Sequence, residues 1–145
     1  MKKILFSLMA ATLCLMMTSC GNPASRMKSL AEDISKNGNE WTDAEQWESV
    51  LEDMVNIACD FAESDFTEDD LEEWAVAASE LYDALNEIDD SKALKAIRKA
   101  SKKLEKDKEL KKRMKAAEKA AMKHAKDLDL DEDDLRKMLS DLNIF

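Results

Sequence analysis

Residues 42–88 read TDAEQWESVLEDMVNIACDFAESDFTEDDLEEWAVAASELYDALNEI, and this stretch decides the fold. Trp47, Leu51, Met54, Ala58 and Phe61 recur at alternating steps of four and three, which places them on one stripe of a helix. Leu71, Trp74, Ala78, Leu81, Leu85 and Ile88 repeat the pattern further on. Thr42, followed three residues later by Glu45, forms a capping box, and Thr67 makes a second N-cap with Phe66 stapling onto Leu71. Carboxylates crowd the turn after each start, where the helix dipole favours negative charge. Two helices of about 20 residues, joined around residues 64–66, are expected to pack as an antiparallel hairpin. Trp47 and Trp74 are then core residues, with Trp41 the more exposed tryptophan.

Working outward, Met27, Leu30, Ala31 and Ile34 give a short first helix ended by the turn signal Asn37, Gly38, Asn39, with Gly38 read as a C-cap residue. On the other side the apolar stripe runs through Leu94, Ile97, Ser101 and Leu104. It slips out of register and resumes at Leu110, Met114, Ala117 and Ala121, so Asp107 marks a kink or the N-cap of a new helix. A third acidic start at residues 130–135 opens a last helix over 132–143, with Leu135, Met138, Leu139 and Leu142 as its docking face. The chain contains one Pro and two Gly, and its charged residues are mostly helix formers. The expectation is an all-α, antiparallel bundle of about four to six helices, forming a single domain over residues 26–145.

Charge is strongly segregated. The net charge is −10, which argues against nucleic acid as a partner. Residues 30–90 carry 21 acids against the single base Lys36, whereas residues 91–126 carry 15 bases against 4 acids. The structural reading is self-complementation, with basic helices lying along acidic ones and flanking charges fixing which helix packs where. Two functional readings stand beside it. Glu68, Asp69, Glu72 and Glu73 could capture a cationic protein or peptide. Lys102, Lys103, Lys111 and Lys112 could bind an anionic polymer or lipid headgroups.

Chemistry has little support. Cys59 lies in an apolar stretch and reads as a small buried hydrophobe. His124 stands among Lys119, Lys123 and Lys126 and reads as a surface residue near a helix end. Asp127, Asp129 and Asp131 have the opening spacing of a calcium loop, but Glu132 occupies the glycine place and Met138 the place of the bidentate Glu. No metal ligands and no cofactor motif are found, and no nucleophile has a base beside it, so a non-enzymatic protein is expected.

At the amino terminus, Lys2 and Lys3 precede an uncharged run over residues 4–17, and Met17, Thr18, Ser19 and Cys20 follow. The charged start and apolar run have signal-peptide form, and the run is too short to span a bilayer comfortably. With the closing Cys, the segment resembles a bacterial lipoprotein precursor, with Met17 where that family usually has Leu. The resemblance implies a signal peptide over 1–19, lipidation of Cys20 and a short tether over 20–25. It further implies anchorage in the cell envelope. Gly21, in place of Asp, is similar to cargo sorted to the inner leaflet of the outer membrane, facing the periplasm. The expectation is a lipid-anchored protein-binding adaptor or envelope assembly factor with an envelope protein as partner. The alternatives are an immunity-type or cationic-peptide-binding protein using the acidic hairpin, and a structural protein binding anionic polymer or headgroups through the basic helix.

Overall fold

A computed structural model describes residues 22–128. Five helices form an all-α bundle: α1 (Pro23–Asn37), α2 (Ala44–Ala62), α3 (Glu68–Asn86), α4 (Ser91–Leu104) and α5 (Lys108–Asp127). A single 3-10 turn, Gly38–Glu40, follows α1. The expected lipidation site Cys20, the signal segment and the helix expected over 132–143 lie outside the described residues.

Local chemistry explains each start. The Asn22 side chain accepts a hydrogen bond from the Ser25 amide and Pro23 enters the first turn, so α1 begins three residues before the expected boundary at 26. The α2 cap also differs from expectation. Asp43, not Thr42, accepts from the Glu45 amide, because a carboxylate one residue closer reaches the same donors. Thr67 caps α3 through a full capping box with Asp70. Asp90 and Asp107 cap α4 and α5, so residues 91–126 form two helices rather than one kinked one.

Gly38 does not act as a left-handed cap. Its φ is −57°, which any residue adopts; a Cβ there would meet Ile88 Cδ1 at 3.2 Å and Ile34 Cγ2 at 3.4 Å, so the Ile88 side chain would have to give by a few tenths of an ångström. The residue next to this close approach fastens the α3–α4 loop. Asn39 Oδ1 accepts from the amides of Asp89 and Asp90, both at 3.0 Å.

The packing order departs from a simple hairpin. α1 packs most extensively on α3, and α2 packs on α4, α1 and α5. Asn22 reaches Glu73 and Ser35 reaches Glu87, so α1 and α3 run parallel. Arg26 meets Asp60, so α1 runs against α2. Along α2 the pairs Glu48–Lys103 and Asp60–Arg113, then Phe66–His124 beyond its end, ascend together. α4 and α5 therefore follow α2 end to end in the same direction. The expected α2–α3 hairpin is replaced by α1 packed beside α3; α2 and α3 meet mainly where Phe61 stacks on Trp74 at 4.4 Å. Buried alanines on both α1 (Ala24, Ala31) and α3 (Ala77, Ala84) let those two axes approach.

The core follows from this order. Because α2 has neighbours on two sides, it buries Val55, Ile57 and Cys59 besides Trp47, Leu51, Met54 and Phe61. α3 is covered on one side and buries only Trp74, Ala77, Leu81 and Ala84. On α4 the buried stripe is Ala93, Ala96, Ala100 and Leu104, while the expected Leu94, Ile97 and Ser101 are half-buried beside it. Small side chains face α2 because they permit the closer contact. Trp41 is half-buried, edge-on to Trp47 at 5.3 Å, and its carbonyl accepts the Trp47 indole N–H at 2.8 Å. It is a packing residue rather than an exposed one.

Candidate functional site

The large apolar groups left in water among the described residues lie on the outer side of α3. Among the described residues, Val76 and Tyr82 are the exposed large hydrophobics, at 50% and 63%. At 100° per residue, Asp69, Glu72, Glu73, Glu80 and Asp83 fall on the same half of the helix, and Val76 lies at the middle of their row. All five carboxylates are exposed. None makes an ion pair with a described residue; Glu73 accepts only a long 3.4 Å hydrogen bond from Asn22. Like charges three and four residues apart repel along a helix, by about 0.2–0.5 kcal/mol per pair. The sequence-predicted acidic set Glu68, Asp69, Glu72 and Glu73 is thus brought together on the first turns of this face. Val76 and Tyr82 were missed, because a helix stripe assigns interior positions and leaves the remaining apolar residues unmarked.

The predicted basic set is not brought to one place. Lys102 and Lys103 end α4, whereas Lys111 and Lys112 begin α5 across the turn capped by Asp107. Lys103 is exposed but paired: its Nζ lies 2.6 Å from Glu48 Oε1. The hydrogen bond that Lys103 donates to Glu48, aided by the carboxylate charge, holds the Lys103 ammonium above its ordinary pKa.

A second cross-block tie binds three helices. Asp60 on α2 accepts from Arg26 Nη1 of α1 through Oδ2 and from Arg113 Nη2 of α5 through Oδ1, both at 2.7 Å. Arg113 also donates to Asn56 Oδ1. These half-buried contacts join acidic and basic blocks, as self-complementation requires. They account for Arg113 and Lys103 but leave the α3 row untouched.

His124 is not a plain surface residue. Its Nε2 lies 2.8 Å from the Phe66 carbonyl and its ring packs edge-on to Phe66 at 4.6 Å, because α5 overshoots α2 and meets the α2–α3 turn. Cys59 is buried, and burial pushes its thiol pKa up, so the thiolate needed for reactivity is suppressed. Among the described residues no group of three or more His, Cys, Asp or Glu side chains is arranged to hold a metal ion. No described helix is long and apolar enough to cross a membrane.

No protein-family model matches the chain, and no curated protein or solved structure matches it either. The surface chemistry therefore carries the functional reading.

Proposed function

We propose that the chain is a lipid-anchored adaptor of the cell envelope that binds a protein partner through the outer face of α3. The observation that carries this reading is Val76, exposed within a row of carboxylates that have no ion-pair partner among the described residues, with Tyr82 exposed beside that row about 120° round the same helix. Exposed apolar groups rimmed by charge suit an interface whose centre is desolvated and whose rim steers encounter. The complementary partner is an amphipathic segment with a basic rim, and tyrosine is a frequent anchor at such contacts.

The anchor at Cys20 would constrain where this happens. With α1 starting at Pro23, only residues 21 and 22 separate Cys20 from the first helix, a span of about 7 Å. An adaptor so tethered works against the bilayer and suits a membrane-apposed partner, with the inner leaflet of the outer membrane as the proposed location. Incorporation of tagged palmitate by the native chain, and its loss in Cys20→Ala, is the expected result for the anchor.

The binding reading is tested by a mild-detergent pull-down from the native envelope at low salt, with stoichiometry of the co-eluting protein. One partner in near-equal amount is expected, lost when Glu68, Asp69, Glu72 and Glu73 are reversed to Lys and retained when Lys102, Lys111 and Lys112 are reversed to Glu. Loss only in the lysine variant would move the site to the basic helices and contradict the proposal.

A further inference from the structure

Between the start of α2 and the side of α4 lies a cleft of about 680 Å³. One wall is a row of lysines, Lys92, Lys95, Lys99 and Lys103, spaced three, four and four residues apart on a single face of α4. The row runs about 17 Å along the helix axis. Thr42, Glu45 and Glu48 contribute to the opposite wall.

The charges on the two walls are not equally available. Glu48 is held by Lys103, and Asp43 is occupied in capping α2. Lys92 stands beside Asp90, the cap of its own helix. Lys95 and Lys99 make no ion pair with any described residue, and Glu45 is the one uncommitted acid facing them. Because Asp43 has taken over the cap, the Thr42 hydroxyl makes no hydrogen bond with a described residue and stands free at the cleft. The N-terminal end of the 19-residue helix α2 adds its positive dipole end at the same wall.

We propose that this cleft binds a phosphate-bearing ligand with two or more phosphoryl groups about one helical turn apart, Lys95 and Lys99 each taking one group and Thr42 donating its hydroxyl. Lysine suits this ligand because it binds phosphate as a point charge, and two lysines four residues apart have their Cα atoms about 6 Å apart along the axis. The site is separate from the α3 face and does not depend on it. Of the basic set read from the sequence, Lys103 lines this cleft, whereas Lys102, Lys111 and Lys112 do not.

The test is titration of the isotope-labelled full chain with sodium tripolyphosphate, read by amide chemical shifts. A parallel arm measures sedimentation with vesicles of phosphatidylglycerol and phosphatidylcholine. Saturable shifts at Thr42, Ala44 and Glu45 are expected. The double variant Lys95→Glu, Lys99→Glu should weaken binding at least about tenfold, while Lys111→Glu, Lys112→Glu stays within about twofold, since screened charges outside the cleft contribute little. Glu45→Gln should tighten binding by removing the opposing charge. Sedimentation lost in the Lys95, Lys99 variant assigns the phosphate to a lipid headgroup; tripolyphosphate binding without sedimentation assigns it to a soluble ligand. Absence of saturable shifts, or equal loss in both lysine variants with unchanged circular dichroism, would overturn the proposal.

Discussion

Asp60 is the residue on which the three-helix junction turns, since one carboxylate satisfies guanidiniums from α1 and α5 at once. Asp60→Ala should leave Arg26 and Arg113 facing each other, and Arg26 Nε is already buried without a partner. Discounted for the partial exposure of all three side chains, the loss is expected to be about 1–2 kcal/mol in urea denaturation, against less than about 0.5 for Asp69→Ala on the open face of α3. Two groups of aspartates make opposite contributions with pH. Asp70 accepts from the Thr67 backbone amide and hydroxyl, and Asp90 from the Ala93 and Lys92 amides, which hold both carboxyls below the ordinary 3.8. Their stabilisation is present above the unfolded value and is lost as pH falls through the lowered ones. Burial instead raises Asp33 and Asp53 above 3.8, so these destabilise the folded chain at neutral pH and the penalty is relieved as pH falls through the raised values. Asp53→Asn should therefore raise Tm at pH 7, and the gain should shrink as the pH is lowered toward the carboxylate range.

At the scale of elements, starts were more legible than partners. The Thr67 cap and the break at Asp107 rest on side chains that act within one turn, so local sequence contains the whole cause. Asp43 in place of Thr42, and α1 from Pro23, are shifts of a few residues decided by which nearby oxygen reaches the free amides. Helix pairing was not legible in the same way. A short loop at residues 63–67 permits a hairpin, but close approach is set by small residues, and hydrophobic periodicity ranks Leu94 and Ile97 above Ala96 and Ala100. The same reasoning predicts a reversal of the usual ranking on α4. Ala96→Leu and Ala100→Leu should each cost about 1–3 kcal/mol by overpacking against α2, whereas half-buried Leu94→Ala should cost less than the about 2–5 kcal/mol of Leu51→Ala in the core. Thermal unfolding of the four variants orders them directly.

For the whole molecule, the charge blocks divide into a used and an unused part. Acidic α2 is covered by the basic α4 and α5, with Glu48–Lys103 and Asp60–Arg113 linking the two blocks along its length. The acidic block was legible as a whole, but composition could not say which of its two long helices the bases would cover. α3 is left with its carboxylates, Val76 and Tyr82 in solvent, on the helix that packs most extensively on α1. A basic-rimmed partner would complete the same electrostatic scheme from outside. The most direct measurement places a photo-activated cross-linking side chain at Tyr82 in cells, with the same group at exposed Lys115 of α5 as the comparison. The account predicts one discrete cross-linked species from position 82, diminished by Glu72→Lys and Glu73→Lys and absent from position 115. Identical cross-linking from both positions, or none from position 82, would contradict α3 as the docking face.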